Sequence, residues 1–297
     1  MPEPNLTTDF LQFDELYTQE QRDIRDEVRR WVDSEVLPHI GEWCDEGHFP
    51  LEVARQLGEM GVLGAMLPEQ YGCAGADYTT YGLIMQELER GDTGFRSFAS
   101  VMTSLTMYPI FAFGSEAQRA HYLPKLAKAE MLGCFGLTEP YGGSNPGGMT
   151  TRAVDDGDSW VLNGEKMWIT NGSAADVAVV FAQTGDHGNP KSIRAFLVHR
   201  DDEGYSAPLI KKKIGLKASV TSSIVLQDCR IPKDRLLPGT EKGLRTALMC
   251  LNSARFGICF GVLGAATACY EEARDYTASR APFGTPLNET QLIQAKL

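Results

Sequence analysis

CFGLTEPYGGSNPGG, Cys134 to Gly148, is where the chain changes character. It opens as a short apolar run of strand type and passes through Thr138 and Glu139 into a turn. That turn is built on Pro140, Pro146 and four glycines, Gly142, Gly143, Gly147 and Gly148. Glycine lets backbone N–H groups approach a ligand closely and permits positive φ. Thr138 and Ser144 add hydroxyl donors. Such a loop suits a flat, polar-edged, phosphate-bearing ligand. It equally suits a plain connection between two strands, and a Gly-rich motif alone does not separate the two.

Some twenty residues on stands KMWITNG, Lys166 to Gly172. Trp168 and Thr170 are two apart, so in a regular strand they share a face. That face offers an indole for stacking and a hydroxyl for a ring nitrogen, although an indole also serves ordinary packing.

The flanks differ in texture. Thr18 to Trp43 reads as a helix, with Ile24, Val28, Trp31, Val32 and Val36 at helical spacing, and Leu51 to Met60 continues the pattern. Further helices are expected over Tyr78 to Arg90, Arg96 to Thr106, and from a Ser115/Gln118 capping box to about Met131. After Gly133 come short strand-like runs at Thr151–Val154, Trp160–Leu162, Val177–Ala182, Arg194–Val198 and Ser222–Leu226, separated by turn signals. Their spacing predicts a small β-barrel or sandwich ending near Pro238. Lys211 to Lys213 reads as a solvated turn. From Lys242 to Ser279 no proline interrupts a helical stripe, which predicts one very long helix. RAPFGTP then turns the chain into a second helix at NETQLIQAKL. The expected class is α+β multidomain: helical over 1–132, β over 133–240, and an incomplete helical bundle over 241–297.

The chain has 297 residues, 43% of them hydrophobic, enough for a sizeable core. A net charge of −11 argues against nonspecific nucleic-acid binding. Seven cysteines without a CxxC pair predict reduced thiols and no metal site. No uninterrupted apolar run looks long enough to span a bilayer. MPEPNLTTDF carries no secretory or Arg-rich leader pattern, so a cytoplasmic location is expected, or the mitochondrial matrix for a mature eukaryotic form.

From about Phe13 to Leu297 the chain resembles the acyl-CoA dehydrogenase family, on the strength of the two segments quoted above. Within it, YGLIMQELERGDTGFRSFASVMTSL (Tyr81–Leu105), LNSARFG (Leu251–Gly257) and RAPFGTPLNETQLIQ (Arg280–Gln294) are similar to the glutaryl-CoA dehydrogenase group. The resemblance implies FAD, held by Phe135, Leu137, Thr138, Gly143, Ser144, Trp168, Ile169 and Thr170. Arg280, Phe283 and Gln291 would reach the FAD of a neighbouring subunit in a homotetramer. It implies acyl-CoA contacts from Ser144, Leu248, Leu251, Asn252 and Arg255. Arg96 and Ser97, with Glu89 nearby, would hold the distal carboxylate of glutaryl-CoA, where a guanidinium fork suits a carboxylate. The implied reaction is oxidation and decarboxylation of glutaryl-CoA to crotonyl-CoA, in lysine and tryptophan degradation, with electron-transfer flavoprotein as acceptor. Asn145 departs from the family's usual acidic residue in the loop.

The family's general base is a Glu expected beyond Leu297, and the alternative position on the long helix is Ala254. No catalytic carboxylate is therefore expected within these residues, which read as an inactive fragment of an enzyme. A non-decarboxylating acyl-CoA dehydrogenase, or a base-free flavin- and CoA-binding protein, remain as alternatives.

Overall fold

The computed structural model describes residues 8–297; the stretch Met1–Thr7, part of the segment read for a leader, lies outside them. The first half is helical. Helices α1 (Gln19–Trp31), α2 (Ile40–Glu46), α3 (Leu51–Glu59), α4 (Tyr78–Gly91), α5 (Thr93–Ser100), α6 (Tyr108–Phe113) and α7 (Glu116–Ala127) follow in order. The long helix expected over Thr18–Trp43 is broken by a π-turn at Val32–Val36 and by the bend at Pro38–His39. Thr18 and Gln21 form a full capping box at its start, and Ser115 with Gln118 does the same for α7. A second π segment, Val101–Met107, joins α5 to α6. Widened turns of this kind are rare and concentrate at functional sites. Trp31, Phe49, Phe95 and Phe98 pack ring against ring to form the aromatic centre of the helical layer.

The middle of the chain is a curled seven-stranded sheet: β1 (Gly133–Gly136), β2 (Arg152–Asp156), β3 (Ser159–Thr170), β4 (Val177–Gln183), β5 (Ile193–His199), β6 (Tyr205–Ser206) and β7 (Thr221–Pro232). The order is β1-β4-β2-β3-β7-β6, with β5 also paired to β4. Strand β4 reads VAVVFAQ without alternation because both of its faces are buried. Val177, Val179 and Phe181 join the core shared with the helices, while Ala178, Val180 and Ala182 join a second core inside the curl. Two runs expected as separate strands, Trp160–Leu162 and the KMWIT segment, are one twelve-residue strand, β3.

Helix α8 (Leu244–Ser279) is 36 residues long and lies along α4. Their contact is close: a Cβ on Gly264 would overlap the carbonyl of Gln86. By length and average hydropathy α8 is apolar enough to cross a membrane, contrary to the expectation from uninterrupted runs. Its Ala and Cys residues raise the average alongside Leu, Ile, Val and Phe, and interspersed glycines keep the large side chains from forming a continuous run. The final helix, α9 (Gln291–Gln294), is a single turn.

Candidate active site

A cavity of about 380 Å³ opens where the helical layer, the sheet and α8 meet. Its first wall is Phe135 of β1 with Leu137, Thr138, Gly143, Ser144 and Pro146 of the loop that follows. The second is the end of β3: Met167, Trp168, Ile169 and Thr170. Val101 and Leu105 of the π segment close one side, and Leu248, Leu251 and Arg255 of α8 close another. Those three α8 residues fall at i, i+3 and i+7, which puts them on one helix face. The cavity thus has an apolar body with a few hydroxyls, an indole and one guanidinium at its edges.

Two local features shape it differently from the sequence reading. Between Lys166 and Ile169 the pairing of β3 with β7 slips register, and Trp168 sits there at φ 61°. A bulge re-aims side chains. Trp168 and Thr170 reach the same cavity, but through this irregularity rather than by simple alternation. The indole is 60% exposed, which is wide of a core packing role.

None of Gly142, Gly143, Gly147 and Gly148 has positive φ. A Cβ built on any of them would meet nothing nearer than 3.5 Å. Neither backbone conformation nor internal packing demands glycine there. Of the four, Gly143 alone lines the cavity, beside the hydroxyl-bearing Thr138 and Ser144.

The remaining sequence-derived site residues lie elsewhere. Asn252 lines a neighbouring cavity of about 330 Å³ with Tyr78, Tyr108, Met249, Ser253 and Phe256. Arg280, Phe283 and Gln291 are exposed beyond the end of α8 and take no part in either cavity of their own chain. Arg96, Ser97 and Glu89 also lie outside both linings. Arg96 Nε donates to Glu89 Oε2 in a nearly buried ion pair, whose side chains are 11% and 6% exposed. Glu89 packs against Gly261 of α8, where a Cβ would collide with its carboxylate.

The sequence reading missed a second buried pair. Lys166 Nζ, fully buried, donates to Glu139 Oε1 at 2.8 Å. The same carboxylate accepts from the backbone N–H and hydroxyl of Thr150 at 2.6 and 2.8 Å, and from those of Thr151 at 3.0 and 2.5 Å. Burial alone would raise the Glu139 pKa, but the Lys166 ammonium and these donors outweigh it and hold it at about 2. Burial lowers Lys166 to about 8 against the pull of its partner. Each member was visible in the sequence beside a cavity-lining segment; nothing in their spacing of 27 residues announced that they meet. Among the described residues no carboxylate or imidazole lines the first cavity, and no cluster of three or more His, Cys, Asp and Glu forms a metal site.

Residues 18–130 match the acyl-CoA dehydrogenase N-terminal domain, 134–229 its middle domain and 241–297 its C-terminal domain. The chain belongs to the acyl-CoA dehydrogenase family. A glutaryl-CoA dehydrogenase from Mycobacterium smegmatis, solved in complex with FADH2, is 50% identical with a TM-score of 0.92; the match covers 96% of this chain and 72% of that one. Butyryl-CoA dehydrogenase from Megasphaera elsdenii is 34% identical, with a TM-score of 0.90 over 94% of this chain and 74% of that one. The mitochondrial short-chain specific acyl-CoA dehydrogenase of Rattus norvegicus is 38% identical over 274 residues, 92% of this chain. The chain spans 66% of that relative's length, about two thirds.

Proposed function

We propose that this chain is the flavin- and acyl-binding part of an FAD-dependent acyl-CoA dehydrogenase that converts glutaryl-CoA to crotonyl-CoA, with electron-transfer flavoprotein as electron acceptor. The observation that carries the flavin assignment is the convergence of the glycine-laced loop and the β3 bulge on one cavity. An isoalloxazine has a flat apolar body and a polar edge. The apolar walls Phe135, Leu137 and Ile169 suit the first, and the hydroxyls of Thr138, Ser144 and Thr170 suit the second. Gly143, the one of the four loop glycines in the cavity lining, puts no side chain against such a ligand.

FAD, when bound, supplies the two-electron oxidant. The chain's own residues bind and orient. Leu248 and Leu251 offer α8 as an apolar wall for the thioester segment, and Arg255 places a cation at its rim. The proton-abstracting carboxylate is assigned by the family resemblance to a Glu that follows Leu297. Arg280 and Gln291, exposed past α8, would then serve a neighbouring copy in a homo-oligomer.

The similarity to the Mycobacterium smegmatis enzyme and the nearly buried Arg96 support glutaryl-CoA as substrate. The ion pair engages Arg96 through Nε, and a guanidinium has four further N–H donors for a second carboxylate. A non-decarboxylating short-chain reaction is the second reading, favoured by the position of Arg96 outside the cavity lining and by the likeness to short-chain enzymes.

Two measurements test this. Protein mixed with FAD should keep a yellow visible absorbance through gel filtration; a colourless protein overturns the cofactor assignment. In the FAD-loaded protein, Arg96→Ala should weaken glutaryl-CoA binding about 10–100-fold, the value of a charge-assisted hydrogen bond, and butyryl-CoA binding less than about 3-fold. Equal effects on both thioesters would favour the short-chain reading.

A further inference from the structure

We infer that the buried Glu139–Lys166 pair is a positioning device for the flavin cleft: it closes the base of the 139–151 loop and fastens that loop to β3, fixing the separation of the cavity's two walls. Neither residue lines the cavity, so the pair acts through others. The inference rests on the reading that FAD occupies that cavity.

Glu139 begins the glycine-rich loop, and Thr150 and Thr151 end it. One carboxylate takes both threonine N–H groups and both threonine hydroxyls, which ties the two ends of the loop at a single point. Inside the tie, apart from the buried Met149 next to Thr150, the loop is thinly held. Its internal backbone bonds join Glu139 to Gly142, Gly148 to Asn145 and Met149 to Pro146. A 3.5 Å contact from Gln183 to Gly147 O is a weak outer anchor, and Tyr141 is fully exposed. Position at the rim therefore depends on the knot at the base.

Lys166 carries that knot across to the opposite wall. Its ammonium donates to Leu137 O at 3.2 Å as well as to Glu139, and the next residue, Met167, donates its N–H to Thr138 O at 2.9 Å. Leu137 and Thr138 stand on one wall of the cavity, Met167 on the other. A neutral hydrogen-bonding pair would link the same segments. The charged pair does so with bonds about twice as strong, in a dry site where loss of one partner strands the other charge. The carboxylate has five donors, so its burial is compensated and its geometry is set from several directions.

The test compares the native protein with Lys166→Met, the double variant Glu139→Gln/Lys166→Met, and Thr150→Val. Two readouts are used: amide hydrogen exchange of 142–148 without flavin, and the FAD dissociation constant between about pH 5 and pH 9. Lys166→Met should speed exchange in the loop at least about 10-fold, leave the β4–β5 amides unchanged, and weaken FAD about 10–100-fold at neutral pH. Its FAD affinity should recover toward acid, as the stranded carboxylate takes up a proton. The double variant, with no charge left behind, should lose that pH dependence and bind FAD within about 5-fold of native. Thr150→Val keeps both charges and the fold, and should speed loop exchange about 3–5-fold. Native loop exchange in Thr150→Val and Lys166→Met overturns the inference. So does faster exchange spread evenly over the sheet with no pH-dependent recovery of FAD affinity, because that describes mere destabilisation. Should Lys166→Met fail to fold, the Thr150→Val exchange result decides alone. A native protein that takes up no FAD would overturn the cofactor reading, whereas flavin-free loop exchange would still judge the knot.

Discussion

Two of the buried or nearly buried ion pairs among the described residues, one in the sheet region and one in the helical layer, differ in how completely they are satisfied. Glu139–Lys166, in the sheet, is 4% and 0% exposed in its side chains, and its carboxylate takes five hydrogen bonds. Glu89–Arg96, in the helical layer, is nearly as dry, yet among the described residues Glu89 accepts one hydrogen bond, from Arg96 Nε. A saturated buried charge has nothing left to offer a ligand and serves to hold its neighbours in place. In the Glu89–Arg96 pair the guanidinium is engaged through Nε alone, and its remaining N–H donors can take a second carboxylate. This contrast separates scaffold from recognition more sharply than burial does, since both pairs are buried.

Breaking the saturated pair should have the larger effect on stability. Lys166→Met strands a carboxylate that is 5% exposed, and unfolding free energy measured by urea denaturation should drop by about 3–5 kcal/mol at neutral pH. The double variant with Glu139→Gln should regain most of it.

Acid should act through the same group. The Glu139 pKa is depressed from 4.5 to about 2, so its contribution is complete above the unfolded value and is lost as pH falls through that interval. Thermal midpoints recorded between pH 5 and about pH 2 should decline more steeply for the native protein than for Glu139→Gln.

Gly261→Ala sharpens the other side of the comparison. The new methyl collides with the Glu89 carboxylate, a movable group, so a stability loss of about 1–3 kcal/mol is expected. If the Glu89–Arg96 pair recognises a carboxylate, the same variant should weaken glutaryl-CoA more than butyryl-CoA.

Arg96→Lys is the mildest change. It keeps a cation beside Glu89 but removes the planar fork, so stability should shift by less than about 1 kcal/mol. Selectivity for glutaryl-CoA over butyryl-CoA should fall about 10-fold, measured as a ratio of dissociation constants.

Much of the architecture was legible along the chain. The Ser115/Gln118 capping box, the unbroken stripe that became α8 and the apolar run that became β4 are local signals, and each formed as read. Periodicity failed where backbone geometry is irregular. The π-turns at Val32–Val36 and Val101–Met107 interrupt helical patterns without any glycine or proline of their own to mark them. The bulge in β3 broke the two-residue alternation at Trp168. Phe135, Thr138, Ser144, Trp168, Thr170, Leu248 and Arg255 were singled out from motif and resemblance, and all face one cavity. Val101, Leu105 and Met167 face it too, but nothing in their residue types distinguishes a cavity wall from a core.

The sequence by itself determined the succession of helices, strands and one long final helix, because hydrophobic period, caps and turn residues act over a few positions at a time. It also marked the glycine-rich loop and the tryptophan segment as chemically unusual. Only the tertiary structure decided that these two face one cavity with α8, that the loop glycines are not left-handed, and that Glu139 is neutralised by Lys166. Those outcomes depend on groups far apart along the chain reaching hydrogen-bonding distance in a dry interior, and no local pattern encodes such a distance.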